Sequence, residues 1–399
     1  MQGLFVFCGM NPLLKRIGIL GGGQLGRMMI EESLRLNLHF NILENDPACP
    51  CAGIADELII GSLQDEAKIR ELASISDVLT FEIEHVNTEA LLQLEKEGKE
   101  IIPSPRLLQI IQDKGYQKQF FYDNGIPSGN FVLVDNTQSW IPALAHIQSE
   151  KFAAKTRKDG YDGKGVVLLN KQDILEGKVA IPFEQPCVLE EFIECEKELA
   201  VIVARDRSGN TVSYPAVEME FDPIANLVTF LLCPADISSE IEEQAEELAL
   251  QTINAMKGVG VFAVEMFLAK DGRLLVNEVA PRVHNSGHHT IEACYTSQFE
   301  QLVRILAGIP LGSTHIVKPA VMMNLLGGEG FSGTYAIQGL DEISSMEGVY
   351  VHLYGKKESK PKRKMGHITV LGDTPMDAHE KALYIQSKVG IVKGVIYGY

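Results

Sequence analysis

The 399-residue chain lacks any long apolar segment. No run approaches the ~18–20 residues that a membrane-spanning helix requires, so we expect no membrane partner. Residues 1–14 are mildly apolar, but they contain no basic start and no small-residue cleavage site, both of which a secretory signal has. The sequence also lacks internal repeats and low-complexity tracts, and its length predicts two or three domains.

Cysteine is present but lacks the spacing that a metal site requires. Seven cysteines, an odd number, are scattered along the chain. Cys49 and Cys51 are too close together for a zinc knuckle, and no second pair accompanies them. We therefore expect reduced thiols and a cytoplasmic location.

Positive charge is scarce. The net charge is −17, which argues against nucleic acid as a partner. Two short segments are rich in basic residues, and one of them, residues 155–165, alternates four basic side chains with three glycines. Glycines let backbone N–H groups point at phosphate oxygens, so this segment can fold over a triphosphate. The second segment, residues 356–364, can clamp a small anionic substrate. A simple charged hairpin tip is the alternative for the first segment, and a solvated loop is the alternative for the second.

The sequence offers no Ser-His-Asp or Cys-His arrangement for nucleophilic catalysis. Its densest chemistry lies in residues 277–289, where an acid, an arginine, asparagine and three histidines follow a predicted strand. Another strand-like run covers residues 261–268. The dipeptide Asp271-Gly272 lies between the two runs and favours a two-residue hairpin loop.

This hairpin predicts an acidic pair. If Lys270 faces Arg273, Glu265 lies directly opposite Glu278. Like charges paired across strands are destabilising, so we interpret the pair as ligands of a cation, with two solvent-facing glutamates as the alternative. Oxygen ligands of this kind suit Mg²⁺, which takes its other ligands from water and phosphate. Strand alternation places Asn277 on the opposite face from Glu278.

A glycine turn near the N-terminus indicates a phosphate site. Three glycines have G-x-G-x-x-G spacing between a predicted strand (residues 16–20) and a predicted helix (residues 27–36): Gly21, Gly23 and Gly26. Glu44 ends the next strand. This pattern is typical of dinucleotide binding, although the same turn can serve packing or another phosphorylated ligand. Strands alternating with helices predict a parallel, doubly wound sheet.

Further elements follow from periodicity and turn residues. One helix is predicted over residues 107–124. Residues 188–193 are typical of an edge strand that ends in acids. Ser239 and Glu242 have the spacing of a capping box at the start of a helix. The chain is strand-rich after position 310, and a last helix covers residues 376–389.

Together these motifs resemble the ATP-grasp fold. The more specific stretches make the chain similar to 5-(carboxyamino)imidazole ribonucleotide synthases, the ATP-dependent carboxylases of purine synthesis: residues 21–28, 80–86, 280–288 and 363–367. The resemblance covers about residues 15–390 and implies a mixture of α/β and α+β architecture. It divides the chain into a Rossmann-like parallel-sheet domain (15–115), an ATP-grasp lid subdomain (116–200), a catalytic subdomain with the Mg²⁺ site (201–320) and a β-rich C-terminal region (321–399).

The resemblance also implies a role for each candidate residue. ATP binding involves the largest set: Lys114, Lys155, Gly160, Tyr161, Asp162, Gly163, Lys164, Gly165, Glu190, Glu191, Phe192, Ile193, Glu198, Asn277 and Glu278. Mg²⁺ is assigned to Glu265 and Glu278. Bicarbonate and carboxyphosphate are assigned to the catalytic side chains Arg282, His284 and Asn285. Lys164 is a fourth catalytic candidate and is expected near the phosphate of the substrate. The substrate 5-aminoimidazole ribonucleotide is assigned to Gln24, Glu82 and Tyr161, and its phosphate to Lys356 and Arg363.

The implied enzyme is a homodimeric ligase that uses ATP and bicarbonate to carboxylate this ribonucleotide. An NAD-dependent oxidoreductase is an alternative that explains the glycine turn and Glu44, but it leaves the lysine-glycine segment and the acidic pair unexplained. A non-catalytic nucleotide sensor and another ATP-grasp carboxylase or ligase are the remaining alternatives.

Overall fold

The computed structural model describes residues 15–158, 165–221 and 228–394. Within these residues a first sheet has five parallel strands in the order β3-β2-β1-β4-β5. The strands are β1 (Arg16–Leu20), β2 (His39–Glu44), β3 (Glu57–Ile60), β4 (Val78–Phe81) and β5 (Glu100–Ile101). Strand β1 is buried along almost its whole length, as expected of a parallel sheet covered on both faces. The predicted parallel sheet is confirmed.

Helices cover this sheet and lead to the next unit: α1 (Gln24–Ser33), α2 (Glu66–Ile75), α3 (Thr88–Lys96), α4 (Pro105–Gln112) and α5 (Lys114–Asp123). Helix α1 begins directly after Gly23, three residues earlier than predicted. No helix in the described ranges is long and apolar enough to cross a membrane.

The prediction of a single helix over residues 107–124 is wrong, because the helix is interrupted at Asp113. This residue has extended backbone angles, and its carboxylate accepts hydrogen bonds from the N–H groups of Gly115 and Tyr116, which caps α5. The same carboxylate forms a bidentate ion pair with Arg157 at 2.8 and 2.9 Å. The break makes Lys114 the first residue of α5.

A second sheet, with four strands among the described residues, has the order β6-β9-β7-β8. Its strands and helices are β6 (Phe131–Val134), α6 (Trp140–Leu144), β7 (Lys151–Thr156), β8 (Val166–Asn170), α7 (Lys171–Leu175) and β9 (Cys187–Glu191). The prediction of an edge strand at residues 188–193 is wrong. Strand β9 pairs with β6 on one side and with β7 on the other.

A third sheet has nine strands in the described part of the chain. Its strands are β10 (Cys195–Arg205), β11 (Thr211–Ser213), β12 (Val217–Phe221), β13 (Val228–Cys233), β14 (Gly260–Ala269), β15 (Leu274–Ala280), β16 (Ala320–Leu326), β18 (Val349–Leu353) and β19 (Lys364–Leu371). A separate ribbon pairs β17 (Tyr335–Gln338) with β20 (Gly390–Lys393). Strand β10 crosses position 200 and the sheet continues past position 320. The domain division at these positions stays a prediction.

The remaining helices are α8 (Ser239–Met256), α9 (Thr290–Ala293), α10 (Gln298–Ala307), α11 (Leu340–Ile343) and α12 (Pro375–Lys388). The predicted capping box is wrong by one residue, because Ser238 caps α8 by accepting from the N–H of Ile241. Glu242 instead accepts from the backbone N–H of Ala216 at 2.7 Å, which ties α8 to the third sheet.

Neighbouring side chains of β10 and β14 pack on opposite faces of the third sheet, in two separate hydrophobic clusters. Val203 and Phe262 pack with α8 on one face. Ala204 and Val261 pack on the other face with α10, and α10 in turn packs against α1 of the first sheet. Helix α10 is therefore held between two sheets, and nearly all its residues are buried.

We predict that Asp113→Ala destabilises the protein by about 3 kcal/mol. The substitution removes a helix cap and leaves Arg157 in a mostly buried position without its bidentate partner. The matched control is Asp65→Ala, because Asp65 caps α2 with two similar hydrogen bonds but is exposed. That variant should lose only about 1 kcal/mol. Urea unfolding measures the free energy of unfolding of both variants. Equal losses would contradict an added contribution of the Asp113–Arg157 ion pair.

Candidate functional site

The hairpin of β14 and β15 sets the geometry of the site. Glu265 lies opposite Glu278, as predicted, but the predicted two-residue loop is wrong. Leu268 pairs with Leu274, so residues 269–273 form the loop, with Gly272 at a φ of +85°. A β-bulge follows, because Met266 pairs with Val276 and Glu265 with Glu278. The longer loop and the bulge each shift the register by one residue in opposite directions, so they cancel.

Asn277 is the extra residue of this bulge, and the alternation prediction for it is wrong. Two residues of a bulged strand oppose one residue of the partner, so simple alternation does not hold there. Val276 and Val279 are buried on either side, whereas Asn277 and Glu278 are both partly exposed. The Oδ1 atom of Asn277 accepts a hydrogen bond from Lys155 Nζ at 3.2 Å. Asn277 therefore faces the same cleft as the candidate ATP-binding lysine.

Three carboxylates lie close together on β10, β14 and β15. Burial raises the pKa of Glu265 above its ordinary value, and the charges of Glu278 and Glu198 raise it further. Burial also raises the pKa of Glu198, to about 6. Lys114 Nζ lies 2.7 Å from Glu278 Oε2 and holds the pKa of that carboxyl below its ordinary value. The centre therefore carries more negative charge than Lys114 alone balances.

A buried ion-pair cluster adjoins this centre on the side of the second sheet. Glu190 lies between Lys155, at 2.9 Å, and Lys118, at 3.4 Å. Burial lowers the pKa of Lys118 to about 8. Burial alone would raise the pKa of Glu190, but the two ammonium groups hold it below its ordinary value. The cluster joins α5, the second sheet and, through Asn277, the third sheet.

His284 lies on the other side of the acidic centre. Its Nε2 atom is 3.5 Å from Glu265 Oε1, and its Nδ1 atom accepts from the backbone N–H of Ser286 at 3.3 Å. Burial lowers the pKa of His284 to about 3, and the nearby charges of Arg282 and Lys364 act in the same direction. The imidazole is therefore neutral, and the Ser286 contact places its proton on Nε2, facing Glu265.

The neighbouring candidates Arg282 and Asn285 contact other elements. Arg282 Nε lies 2.8 Å from Glu84 Oε1. The amides of Asn285 and Asn324 exchange two hydrogen bonds of 2.9 and 3.1 Å, which ties the loop after β15 to β16. Arg282, His284 and Asn285 thus lie on one loop, and each contacts a residue of a different element.

The glycine turn holds a carboxylate of the protein itself. Glu82, which is 8% exposed, accepts hydrogen bonds from the N–H groups of Gly23 and Gly26 at the start of α1. Burial raises the pKa of Glu82, although both amides favour its ionised form. Glu44 accepts from the N–H of Gly22 at 2.9 Å. These are the amides that a dinucleotide phosphate would need, so the turn presents Glu82 rather than an open anion site.

The basic segment lies near the same place. Lys356 is partly buried, and its Nζ donates to the carbonyl of Lys364 at 2.6 Å. Burial lowers the pKa of Lys356 to about 8, with Arg363 acting in the same direction and Glu82 opposing it. Arg363 donates to the carbonyl of Glu358 at 2.6 Å. Gln24 is the first residue of α1 and directly follows Gly23.

Some candidate residues lie apart from this arrangement. The Glu191 carboxylate accepts from Asn130 and from the backbone of Gln148, and Phe192 N–H donates to the carbonyl of Lys151. Glu191, Phe192 and Ile193 line a cavity of about 340 Å³ beside the β14–β15 loop, and Glu190 is not part of the lining of this cavity. Gly165 closes the β7–β8 connection by accepting from Thr156. Five candidates lie outside the described residues: Gly160, Tyr161, Asp162, Gly163 and Lys164.

Comparison with known proteins identifies the family. Residues 14–112 match the ribonucleotide synthetase preATP-grasp domain, residues 119–299 the ATP-grasp domain, and residues 320–381 the phosphoribosylaminoimidazole carboxylase C-terminal domain. The N5-carboxyaminoimidazole ribonucleotide synthase of Brucella melitensis is 41% identical over 356 residues, which cover 88% of this chain and 95% of that protein. The chain belongs to the N5-carboxyaminoimidazole ribonucleotide synthase family.

Solved structures of the family agree with the fold. The N5-carboxyaminoimidazole ribonucleotide synthetase of Thermotoga maritima is 44% identical, with a TM-score of 0.86 over 95% of this chain and 100% of that chain. The Aspergillus clavatus synthase, solved with ADP and 5-aminoimidazole ribonucleotide, is 35% identical, with a TM-score of 0.83 over 94% of this chain and 98% of that one. The expected ATP-grasp architecture is confirmed, and the dehydrogenase alternative is not favoured.

Sequence reasoning missed several residues of the site. Lys118 lies four residues after Lys114 on α5, so the helical spacing of two lysines was a usable signal. Asn324 on β16 contacts Asn285, and Gln298 on α10 contacts the backbone of His284. No local sequence pattern marks either residue. Glu84 lies within the family-like stretch 80–86, but nothing in its neighbourhood predicts its contact with Arg282.

Proposed function

We propose that the chain is an ATP-dependent ligase that carboxylates 5-aminoimidazole ribonucleotide to 5-(carboxyamino)imidazole ribonucleotide in purine biosynthesis. The observation that carries this proposal is the continuity of three groups. Lys155 of the Lys155–Glu190–Lys118 cluster donates to Asn277, the residue before Glu278 of the Glu265–Glu278 pair. His284 lies 3.5 Å from Glu265 on the other side of that pair. Such a sequence of cations, acids and a neutral imidazole suits phosphoryl transfer to a small anion, which depends on positioning and charge more than on a covalent nucleophile.

ATP and Mg²⁺ are assigned to the acidic centre and its lysines. Among the described residues, no group of three or more His, Cys, Asp or Glu side chains is arranged to hold a metal. The two facing carboxylates nonetheless fit Mg²⁺, because this ion often takes only one or two protein carboxylates together with phosphate oxygens. When bound, Mg²⁺ would neutralise charge on the transferring phosphates. Lys114 and Lys155 would bind phosphate oxygens, and Glu198 and Asn277 would face the nucleotide.

Bicarbonate is assigned to the loop after β15. Arg282 supplies positive charge, Asn285 an amide, and His284 an N–H that faces the acidic centre. A bicarbonate oxygen held there would attack the γ-phosphorus of ATP, and the bond from that phosphorus to ADP would break. The carboxyphosphate formed would release phosphate and CO₂. The ribonucleotide amine would form the new N–C bond and lose a proton.

The ribonucleotide is assigned to the space between the glycine turn and the basic segment. Glu82 is held there by the α1 amides and can accept from a substrate amine or hydroxyl. Lys356 lies close enough to Glu82 for their charges to interact, and a phosphate near Lys356 would further favour its charged ammonium form. Gln24 and Arg363 complete this assignment. The homodimer, the cytoplasmic location and the domain boundaries at 115, 200 and 320 stay predictions.

The first experiment measures ADP release by the purified protein. Release should require both 5-aminoimidazole ribonucleotide and bicarbonate, and omission of either should lower the rate at least about 10-fold. ADP release that is indifferent to the ribonucleotide would refute the assignment. Carbon-14 bicarbonate identifies the product, because label should appear in the ribonucleotide only when ATP is present.

We predict that Glu278→Gln lowers kcat by at least about 100-fold, because the substitution removes one of two carboxylates that hold the metal. Thermal stabilisation by ATP should also lose its dependence on Mg²⁺. Glu196→Gln is the control, since Glu196 is an exposed glutamate on β10. Normal Mg²⁺ dependence in Glu278→Gln would exclude the hairpin as the metal site.

We predict that Lys356→Ala raises the KM for the ribonucleotide about 10-fold and leaves the KM for ATP nearly unchanged. The reason is the loss of one charge-assisted contact to phosphate. Lys357→Ala is the matched control, because Lys357 is the adjacent lysine but is exposed. A defect confined to ATP would place the phosphate clamp elsewhere.

A further inference from the structure

Gln298, the first residue of α10, clamps the backbone of His284. Its Oε1 atom accepts from the N–H of His284 at 2.9 Å, and its Nε2 atom donates to the carbonyl of the same residue at 2.7 Å. The side-chain amide thus satisfies both backbone groups of one residue, as a neighbouring strand would. Gln298 is fully buried, so water does not compete for these bonds.

A second route joins the same loop to α10. The backbone N–H of Gln298 donates to Thr290 Oγ1 at 2.9 Å, and this hydroxyl donates to the carbonyl of Gly287 at 2.6 Å. A Cβ atom at Gly287 would overlap the Gln298 amide. The absence of a side chain at Gly287 is therefore what lets the amide reach His284.

The anchor itself is rigid. Ser297 caps α10 by accepting from the N–H of Glu300, and the helix is packed between β10 and β14 on one side and α1 on the other. The backbone of His284 is therefore fixed to an element that belongs to the core. Because Ser286 in turn orients the imidazole, the clamp determines where Nε2 points.

We propose that Gln298 is a positioning residue for the bicarbonate site. It holds the backbone of His284 so that the imidazole Nε2–H and the neighbouring Arg282 and Asn285 converge on one anion. The proposal rests on the assignment of bicarbonate to this loop, and it adds a residue that does not itself touch substrate. Displacement of a reacting group by about 1 Å can cost about 100-fold in rate, so a clamp of this kind has kinetic consequences.

General stabilisation is the competing interpretation, and the chain contains a control for it. Gln301, also fully buried on α10, makes the same bidentate pair with the backbone of Gly312, at 2.9 and 2.7 Å. The segment around Gly312 contains none of the candidate site residues. The two glutamines therefore match in burial, in helix and in the bidentate pair with one backbone residue, and they differ in the loop that they hold. Gln298 Nε2 also lies 3.2 Å from His288 Nδ1.

The test compares Gln298→Met with Gln301→Met, because methionine has a similar volume and makes no such hydrogen bonds. The midpoint of thermal unfolding should fall by a similar amount in both variants. Only Gln298→Met should raise the KM for bicarbonate, by about 10-fold or more, with the KM for ATP within about twofold of the unsubstituted protein. Equal kinetic changes in both variants, or an unchanged bicarbonate KM in Gln298→Met, would overturn the proposal.

A second pair of variants tests the role of Gln298 if Gln298→Met does not fold. Gly287→Ala introduces an overlap with the Gln298 amide, and Gly312→Ala in the control segment introduces a comparable overlap with the side chain of Thr296. The selective rise in bicarbonate KM is expected for Gly287→Ala alone. If the unsubstituted protein shows no bicarbonate dependence, the proposed function fails. If it shows that dependence but neither Gln298→Met nor Gly287→Ala alters it selectively, only the role of Gln298 fails.

Discussion

The facing carboxylates of Glu265 and Glu278 are the constraint on which the rest of the site depends. Two acids paired across strands repel each other, and burial increases the cost of their charge. Positively charged and N–H groups surround these carboxylates on several sides. Lys114 contacts Glu278, and the Lys155–Glu190–Lys118 cluster lies beside it. The imidazole N–H of His284 faces Glu265. A Mg²⁺ ion held by Glu265 and Glu278, as we propose, would offset the remaining negative charge.

The fold brings these groups together by joining all three sheets at one place. The break at Asp113 makes Lys114 the first residue of α5 and ties that helix to Arg157 after β7. Helix α10 is packed between the first and third sheets and holds the loop after β15 from behind. The amide pair of Asn285 and Asn324 attaches the same loop to β16. The chemistry thus lies on loops and strand ends, whereas their positions are set by core elements.

The glycine turn shows how one motif can serve a different ligand. A helix N-terminus with free amides favours an anion, and here the anion is the carboxylate of Glu82. The turn therefore fixes the carboxylate of Glu82, which we propose faces the ribonucleotide, instead of a dinucleotide phosphate. The family assignment agrees with this geometry, since the carboxylated substrate carries an amine that an acid can orient.

The sequence alone determined the local chemistry and the class of fold. Alternating strands and helices predicted the parallel sheet, and the resemblance of the motifs to a known family implied the ATP-grasp architecture. The pairing of Glu265 with Glu278 was predicted correctly although the loop was not, because the longer loop and the bulge at Asn277 cancel. Tertiary structure alone decided the direction of Asn277, the interior position of β9 and the partners of Lys118, Asn324 and Gln298. The physical reason is that a bulge, a helix break or a buried amide clamp is stabilised by groups distant in the chain, and no local period records them.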